Sequence, residues 1–484
     1  MRLDKIIKET GYTGVTGRTD IEITAVCTDS RKVIRGALFV AVKGFAVNGE
    51  DFIRESIEKG AAAVLCECGC DAPGEVTVVR VEDSRYAAAL AASAFYGHPS
   101  EKLNLVGITG TNGKTTTVTL LYNLFTKLGY KCGLLSTIAN YVGEKRLETS
   151  NTTADPLTIN TLLSEMVEEG CSYCFMEVSS IGVEQQRIAG LHFRVGIFSN
   201  LTHDHLDYHK TFAEYLRCKK LFFDNLGPDS DALVNADDRN GMVMLQNTKA
   251  NKLTYSCHGP ADHTVRILEQ NFDGMLLKID GQQVWVKLIG EHNASNILAI
   301  YSTAITLGAD PTEVLVALST LESVSGRLEN IPGPMGLAVV IDYAHTPDAL
   351  ENVLRTLRNI APERPLVCLF GCGGDRDRTK RPEMAAVAEK IADRIVITSD
   401  NPRTEDPKAI IDEIKAGLSW KGVAKSLFIE DRAEAIRTAI LTAAPGSTIL
   451  LAGKGHETYQ IKGTEKIHFD ERETVAETFK LLSK

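Results

Sequence analysis

The chain has 484 residues, more than one hydrophobic core usually organises, so its length predicts two to four domains. Hydrophobic residues make up 44% and charged residues 24% of the sequence, which is typical of soluble globular proteins and not of disordered, fibrous or membrane proteins. The formal net charge of -10 argues against a broad surface for nucleic acid or acidic membranes, so any phosphate binding should be local.

The first residues and the cysteines predict a cytoplasmic protein without membrane insertion. The start, MRLDKIIKETGYTG, does not resemble a signal peptide, and no stretch of about 18 apolar residues predicts a membrane helix. Eleven cysteines without a secretory signal favour reduced thiols over a disulfide framework. Cys66, Cys68 and Cys70 lack a nearby histidine and a second cysteine pair, which favours a structural loop over a metal site.

Strand and helix patterns divide the chain into three predicted domains of the α/β class. Residues 1–99 give short strand and helix signals that end at Pro99. Residues 100–326 begin with a strand, a glycine-rich loop and a helix, which predicts a parallel sheet. Residues 327–484 alternate five strands with helices, which predicts a second, doubly wound sheet. Ligands bind beyond the carboxyl ends of such strands, so the loops GCGGDRD, SDNPRTED and AGKGHE should carry chemistry.

The segment GITGTNGKTTT predicts a site for a nucleoside triphosphate. An apolar strand runs into Gly110 and Gly113, and a helix follows Lys114. Backbone amides of such a loop and the helix N-terminus attract phosphates, Lys114 can neutralise their oxygens, and Thr115 can hold a magnesium ion. The spacing departs from the general phosphate loop because Ile108 stands where the first glycine is expected. A chance glycine turn is the alternative.

Two further segments predict metal ligands. Glu177 ends the apolar strand of YCFMEVSS, where a carboxylate can reach a metal ion held by the phosphates. The loop THDHLDYH is dense in histidine and aspartate, and His205 is its candidate metal ligand. The alternatives are a solvent-facing glutamate and a merely polar loop.

The helix TFAEYLRCKKLFF predicts that Lys219 is at least partly buried. Its apolar stripe includes Tyr215 and Phe222, and Lys219 falls on that stripe whereas Lys220 falls beside it. Burial disfavours a charged amine, and a neutral amine can react with carbon dioxide to give a carbamate that joins a magnesium site. The residues alone favour an unmodified lysine whose ammonium group reaches solvent.

Taken together, GTNGKTTT, MEVSS, THDHLDYH, the lysine helix, GEHNASNILAI, SGRLE and DYAHTPDAL resemble the Mur ligase family, the amide-forming enzymes of bacterial cell-wall precursor synthesis. The resemblance spans nearly the whole chain. It implies a uridine-nucleotide domain over residues 1–99, a central ATPase domain with a P-loop over 100–326, and a C-terminal Rossmann-like domain that binds an amino acid over 327–484. It also implies that ATP is the co-substrate and Mg²⁺ the cofactor.

The resemblance assigns roles to residues of two groups. ATP contacts are implied for Gly110, Thr111, Asn112, Gly113, Lys114, Thr115, Thr116, His292, Asn293, Asn296, Arg327 and Asp342. Contacts to a uridine-linked muramoyl dipeptide are implied for Ser30, Thr152, Thr153, Ser179, Gln185 and Arg187. Lys219 matches the lysine that is carbamylated in the family, which would make it a magnesium ligand beside Thr115, Glu177 and His205.

Within the family, the motifs are most similar to the enzymes that extend UDP-N-acetylmuramoyl-L-alanyl-D-glutamate by the third residue of the stem peptide. The segment DNPR resembles the enzymes that select meso-diaminopimelate, whose distal carboxylate suits the planar guanidinium of Arg403. An exposed surface arginine is the alternative. The full implied amino-acid site consists of Arg376, Asp400, Asn401, Pro402, Arg403, Gly453 and Glu457.

The predicted reaction is ATP-dependent amide bond formation through an acyl phosphate, carried out by a monomer on small-molecule substrates. A lysine-adding Mur ligase and a folylpolyglutamate-type ligase are alternatives that share the ATP machinery. An ATP-hydrolysing switch protein is the alternative from another class. The DNPR segment and the block before residue 100 favour the diaminopimelate-adding reaction.

Overall fold

The computed structural model describes residues 1–44, 47–69, 72, 75–149, 151–202 and 206–482. The predicted metal ligand His205 and the cysteine Cys70 therefore lie outside the described residues. Contacts between Cα atoms divide the chain into two compact units. Unit 1 comprises Met1–Gly110, Thr117–Ser199 and Ala213–Thr254, and unit 2 comprises Thr111–Thr116, Asn200–Phe212 and Tyr255–Lys484.

The first part of unit 1 is a small α/β sheet. Its strands are β1 (Gly14–Thr16), β2 (Val26–Cys27), β3 (Leu38–Val40), β4 (Ala63–Cys66) and β5 (Thr77–Arg80), and its helices are α1 (Leu3–Ile7), α2 (Ile53–Glu58) and α3 (Ser84–Phe95). The strand order is β1-β5-β4-β3-β2, with β1 antiparallel to β5 and the other pairs parallel. The alanine-rich α3 begins where the Asp83 side chain accepts hydrogen bonds from the next backbone amides, and it packs its buried face on this sheet.

The chain continues with the elements that carry the predicted phosphate loop. In order they are β6 (Asn104–Thr109), α4 (Lys114–Lys127), β7 (Cys132–Leu135), β8 (Asn140–Val142), β9 (Lys145–Leu147), α5 (Pro156–Glu168), β10 (Tyr173–Glu177), α6 (Ser180–Glu184), β11 (Val195–Phe198), α7 (Leu206–His209), α8 (Phe212–Asp224), β12 (Asp231–Asn235), α9 (Gly241–Met244) and β13 (Asn251–Ser256). Strands β7, β10, β6, β11 and β12 are parallel neighbours, and β8 and β9 add an antiparallel edge.

These parallel strands are buried almost throughout, which matches their near-continuous apolar sequences. Glu177 at the end of β10 pairs in register with Ile108 of β6, and Phe198 at the end of β11 pairs with Thr109. The strand ends that the sequence predicts to carry chemistry therefore share one edge of the sheet.

Unit 2 contains an antiparallel strand group and a doubly wound sheet. Its elements after β13 are β14 (His263–Asn271), β15 (Gly274–Ile279), β16 (Gln282–Val286), α10 (Glu291–Thr306), α11 (Pro311–Ser319), β17 (Glu329–Pro332), β18 (Ala338–Asp342), α12 (Pro347–Ile360), β19 (Leu366–Phe370), α13 (Lys380–Ile391), β20 (Arg394–Ile397), α14 (Pro407–Lys415), α15 (Trp420–Ala424), β21 (Ser426–Phe428), α16 (Arg432–Leu441), β22 (Thr448–Ala452), β23 (Tyr459–Lys462), β24 (Glu465–His468) and α17 (Glu471–Leu482).

The doubly wound sheet has the strand order β17-β18-β22-β19-β20-β21, and apolar clusters cover both of its faces. The five predicted strands are all present, and β17 is an additional antiparallel edge strand. The hairpin β23–β24 was not predicted. Helix α13 begins at Lys380, because Thr379 before it already has helical backbone angles. None of the described helices is long and apolar enough to cross a membrane.

Candidate active site

The phosphate loop lies between β6 and α4, and backbone and side-chain contacts within unit 2 fix its shape. Thr111 N donates to Asn200 O at 2.9 Å, and Asn112 N donates to Asn200 Oδ1 at 2.9 Å. Lys114 is the first residue of α4, and its Nζ donates to Thr111 O at 2.8 Å. The N-terminus of this 14-residue helix and an ammonium group thus lie together, the combination that phosphates need.

The first turns of α10, which the sequence assigns to ATP, lie against this loop. Gly113 has φ +88°, and a Cβ added there would lie 2.5 Å from Asn296 Oδ1, so only glycine fits. Asn296 Nδ2 donates to Asn293 Oδ1 at 3.1 Å, and Asn293 Nδ2 donates to Ile289 O at 2.9 Å. Desolvation lowers the pKa of the half-buried His292 to about 4, so its ring is neutral at neutral pH.

Arg327 and Asp342 reach the same region of unit 2. Arg327 Nη2 is 3.5 Å from Thr115 Oγ1, and its guanidinium carbon lies 4.8 Å from the centre of the Tyr343 ring. Asp342 accepts hydrogen bonds from Leu328 N and Ala344 N, both at 2.8 Å. Burial raises the pKa of Asp342 against the opposing effect of Arg327. Asn296 and Arg327, from two distant segments, therefore lie against the phosphate loop.

Glu177 and Lys219, the predicted magnesium ligands of unit 1, are both 1% exposed. Glu177 Oε1 accepts a hydrogen bond from Thr137 N at 2.8 Å, whereas Oε2 has no hydrogen-bond partner among the described residues. A buried carboxylate oxygen of this kind suits a hard divalent cation. Lys219 Nζ donates to Gly110 O at 2.8 Å and lies 4.7 Å from the centre of the Tyr215 ring. The prediction that Lys219 is buried is confirmed, whereas its carbamate stays a prediction.

Four of the six residues assigned to the muramoyl dipeptide form one hydrogen-bonded cluster in unit 1: Thr153, Ser179, Gln185 and Arg187. Thr153 Oγ1 donates to Glu177 O at 2.9 Å and accepts from Ser179 N at 2.9 Å. Arg187 Nη1 donates to Thr153 O at 2.6 Å, and its Nη2 donates to Gln185 Oε1 at 2.7 Å. Residues 34 positions apart in sequence are thereby joined around the end of β10.

The other two residues of this group lie beside side-chain oxygens. Thr152 Oγ1 is 3.1 Å from Thr137 Oγ1. Ser30 begins a short 3₁₀ helix in the small sheet of unit 1, where its Oγ donates to Glu55 Oε2 at 3.3 Å. Lys59 Nζ donates to Ser30 O at 3.1 Å. Ser30 therefore lies among the charged side chains of Glu55 and Lys59, in the small sheet and not in the cluster at β10.

The loop Asp400–Arg403 follows β20 and is held by the hairpin β23–β24. Arg403 N donates to Ile461 O at 3.2 Å, and Gly463 N donates to Arg403 O at 2.8 Å. Arg403 has φ +52°, a conformation that an arginine adopts only when its surroundings impose it. Its Nη1 donates to Gly374 O at 2.7 Å, which sets the plane of the guanidinium group.

Arg403 and Pro402 line a cavity of about 360 Å³. The charged residues that line it are Arg403, Glu405, Glu430, Asp431 and Lys462, whereas the other predicted amino-acid contacts, Arg376, Asp400, Asn401, Gly453 and Glu457, are not among its lining residues. A cavity that combines cationic and anionic side chains fits a zwitterionic ligand. A Cβ added at Gly373 would lie 3.0 Å from Arg403 Nη1 and 3.8 Å from Arg376 Cγ, so the two predicted arginines flank this glycine.

The remaining predicted amino-acid contacts are close to that loop. Asn401 Nδ2 donates to Glu457 Oε2 at 2.9 Å. Gly453, with φ +116°, follows β22, and a Cβ added there would lie 3.8 Å from Asp400 Oδ2. The structure thus brings together Asp400, Asn401, Gly453 and Glu457 from two loops that are distant in the sequence.

Sequence reasoning missed two buried cations beside this site. Lys454 and Arg381 are both 0% exposed. Arg381 pairs with Glu405 at 2.8 Å and donates to Gly373 O at 3.1 Å. Its position three residues before the buried Met384 places it on the buried face of α13, which is a signal the sequence offers. Lys454 lies between two glycines directly after an apolar strand, which is a weaker signal.

Comparison with known families covers most of the chain. The sequence pattern of the Mur ligase family catalytic domain matches residues 22–98, that of the Mur ligase middle domain matches residues 108–304, and that of the Mur ligase glutamate ligase domain matches residues 326–455. These ranges include strands β2 to β5 of the small sheet, the phosphate loop and the loop Asp400–Arg403.

Individual relatives agree with the family matches. A protein of Cytophaga hutchinsonii named UDP-N-acetylmuramoyl-L-alanyl-D-glutamate–2,6-diaminopimelate ligase is 50% identical, with 100% of both chains covered. A protein of the same name from Parabacteroides distasonis is 51% identical over 96% of both chains. A solved structure with that name has a TM-score of 0.72 and 30% identity, covering 100% of this chain and 99% of the other. This chain therefore belongs to the Mur ligase family.

Proposed function

We propose that this chain joins 2,6-diaminopimelate to the D-glutamate of UDP-N-acetylmuramoyl-L-alanyl-D-glutamate, with ATP converted to ADP and phosphate, in peptidoglycan precursor synthesis. Relatives that are about half identical over their full length carry this activity in their names. The choice of diaminopimelate as the amino acid is supported by the loop Asp400–Arg403. Arg403 is held in a strained backbone conformation, and it lines a cavity with both positively and negatively charged residues. The enzyme is an ATP-dependent acid–amino-acid ligase.

The first step that we propose is attack of the D-glutamate γ-carboxylate on the γ-phosphorus of ATP. A phosphorus–oxygen bond to the substrate forms as the bond to ADP breaks, which gives an acyl phosphate. Lys114 and the N-terminus of α4 are placed to offset negative charge on the phosphates. Arg327, which stacks on Tyr343 and reaches Thr115, adds a second positive charge in the same region.

The second step is attack of the diaminopimelate amine on the acyl carbon, with release of phosphate and loss of a proton from the amine. The charges around the cavity suit the distal end of diaminopimelate, which carries both an ammonium group and a carboxylate. Arg403 provides the planar donor for that carboxylate, and the nearby acidic groups Glu405 and Asp431 suit the ammonium group. Lysine lacks the distal carboxylate and would leave the guanidinium of Arg403 without its ligand.

Magnesium fits the donor groups that the chain offers. The buried Glu177 Oε2 would bind the ion directly in unit 1, and Lys219 would do so only as a carbamate. His205 is proposed as a metal ligand on the basis of the sequence alone. Thr115 would contribute its hydroxyl beside the phosphates. Bound magnesium would supply positive charge that stabilises the transferred phosphoryl group.

The uridine-linked substrate is assigned to unit 1. Thr152, Thr153, Ser179, Gln185 and Arg187 would hold the muramoyl dipeptide near the end of β10, where an arginine and two hydroxyls lie within one hydrogen-bonded cluster. Ser30 would lie near the uridine nucleotide. We further propose the domain boundaries 1–99, 100–326 and 327–484, a cytoplasmic location and a monomeric state.

The proposed function is tested by measuring ADP release from ATP in the presence of UDP-N-acetylmuramoyl-L-alanyl-D-glutamate. Diaminopimelate, lysine and glutamate are supplied in parallel, and the nucleotide product is identified by its mass. We expect fast release and an extended product with diaminopimelate. Preference for lysine would indicate a lysine-adding ligase. ADP release that no amine accelerates, with no extended product, would contradict a ligase.

A further inference from the structure

Lys454 is a fully buried cation that joins the two loops of the amino-acid site. It is 0% exposed and follows the end of β22 by two residues. Its Nζ lies 3.0 Å from Asn401 Oδ1 and 3.2 Å from Glu457 Oε2. It lies 3.3 Å from Asp400 Oδ1 and donates to Tyr459 O at 2.7 Å. One ammonium group thus contacts the loop after β20, the loop after β22 and the hairpin that follows.

The charged groups around Lys454 depend on one another for their stability in the interior. A buried ammonium is costly unless it is paired, and here it contacts two carboxylates, an amide oxygen and a backbone carbonyl. Burial raises the pKa of Asp400, but Lys454 and Arg432 outweigh burial and hold it below its usual range. Asp400 is therefore ionised at neutral pH. Removing Lys454 would leave buried anions without their cation.

The same contacts fix the orientation of Asn401. Its Oδ1 accepts from Lys454 Nζ at 3.0 Å and from Ile461 N at 3.0 Å, and its Nδ2 donates to Glu457 Oε2 at 2.9 Å. The two donors at Oδ1 determine which end of the carboxamide faces Lys454. Glu457 in turn is held through a single carboxylate oxygen by both Lys454 and Asn401.

We propose that Lys454 is a positioning residue for the amino-acid substrate. It acts indirectly, by fixing the side chains of Glu457 and Asn401 that orient the substrate. This inference rests on the proposed function, because it takes those two residues to contact diaminopimelate. Lys454 is fully enclosed and acts through its neighbours. A misplaced carboxylate weakens binding and orientation of the amine that must attack the acyl phosphate.

The variant Lys454→Met keeps the length of the side chain and removes its charge. We expect kcat/KM for diaminopimelate to fall about thirtyfold, which corresponds to about 2 kcal/mol, mostly through KM for diaminopimelate. KM for ATP and the formation of acyl phosphate without amine should stay within about twofold of the wild type. An equal loss in all of these measurements would show a general structural role and overturn the proposal.

Arg358→Met is the matched control. Arg358 on α12 also joins distant segments, since its Nη2 donates to Ile391 O at the end of α13 at 3.0 Å and to Asp393 Oδ2 before β20 at 2.8 Å. Those contacts lie where β19 and β20 begin, at the edge of the sheet away from Asn401. We expect a lower melting temperature with unchanged KM for diaminopimelate. The same rise in KM in the control would overturn a specific role for Lys454.

A double-mutant cycle tests the action of Lys454 through Glu457, and the double variant removes one of the carboxylate charges that Lys454→Met leaves unpaired. Glu457→Gln and the double variant Lys454→Met with Glu457→Gln are compared for kcat/KM with diaminopimelate. If Lys454 acts in part through Glu457, the double variant should lose less than the product of the two single losses. Losses that multiply fully would contradict the proposal. Wild-type protein that does not respond to diaminopimelate at all would instead refute the proposed function, which keeps the two failures distinct.

Discussion

The phosphate loop Thr111–Thr116 and the amino-acid loop Asp400–Arg403 both belong to unit 2 and both follow a buried parallel strand, but they are held in place differently. The phosphate loop holds its charged side chain through its own backbone, because Lys114 bonds to Thr111 three residues earlier. Gly113 provides the close approach to Asn296, and the amides of Thr111 and Asn112 bond to Asn200. The lysine is thus bonded locally, although distant segments also contact the loop.

The amino-acid loop depends on side chains from other segments. Lys454, Glu457 and Ile461 bond to Asn401 across 53, 56 and 60 residues of sequence. Arg381 and the hairpin β23–β24 add further support around Gly373 and Arg403. The pocket is therefore assembled from several distant segments.

This contrast predicts where substitutions should act. Where the charged side chain bonds to the backbone of its own loop, replacing it should remove chemistry and leave the structure in place. In a loop held by distant side chains, a substitution outside the loop should change substrate affinity. The four variants that follow test this contrast, in order of decreasing effect.

Lys114→Ala should have the largest effect. We expect ADP release to fall by about a thousandfold, because a positive charge aimed at the transferred phosphoryl group is lost from the site. The melting temperature without nucleotide should change little. Lys127→Ala removes an exposed lysine from the last turn of the same helix and should leave the rate unchanged. A rate for Lys114→Ala within tenfold of the wild type would show that the loop does not hold the phosphates.

Lys219→Ala should lower the rate on the order of a hundredfold, as losing a group that supports a metal site does. Added formate or acetate should restore part of the activity, because a small carboxylate can replace a carbamate. Lys220→Ala is the matched control, since Lys220 is the next residue and pairs with Asp224 at 2.6 Å. Loss without rescue, together with an unmodified Lys219 in a well-ordered crystal structure, would refute the carbamate.

The sequence predicts the phosphate loop and the strands well because their signals are local. The α/β class, the five strands of the C-terminal sheet and membership of the Mur ligase family are confirmed. Convergence of Gly113, Asn296 and Arg327 follows from residues that the motifs already name. The roles of individual residues stay predictions.

The elements that hold the amino-acid loop Asp400–Arg403 in place could not be predicted from local sequence patterns. Strand β24 is exposed along its whole length, so it has no buried face that would produce an alternating pattern. Lys454 is buried because three segments meet around it, and no single segment contains that information. The cluster of Thr153, Ser179 and Arg187 likewise depends on where the loop before α5 meets the end of β10.

Arg403→Ala should lower kcat/KM for diaminopimelate by at least about thirtyfold, or 2 kcal/mol, because the distal carboxylate loses a charged partner. The rate with lysine should change little, so the preference between the two amines should shrink. Arg355→Ala, which removes a surface arginine paired with Glu351 on α12, serves as the control. An equal fall in kcat/KM with diaminopimelate and with lysine would show that Arg403 does not bind the distal carboxylate.

Glu405→Gln should have the smallest effect, and that effect should depend on pH. Hydrogen bonds from Arg381 lower the pKa of Glu405 to about 2 from its usual 4.5. A lowered folded-state pKa stabilises the fold above pH 4.5, and the contribution is lost as pH falls towards 2. Glu405 is partly exposed, so we expect the variant to lose about 1 to 2 kcal/mol of unfolding free energy at pH 7.

The difference in melting temperature between the wild type and Glu405→Gln should therefore narrow as pH falls from about 4.5 towards 2. Glu351→Gln removes one partner of a surface pair with Arg355, and its melting temperature should differ little from that of the wild type at any pH. Because Glu405 also lines the amino-acid cavity, KM for diaminopimelate measured at pH 7 should rise with the loss of stability. A gap in melting temperature that is the same at pH 7 and pH 3 would mean that the pair with Arg381 is not its source.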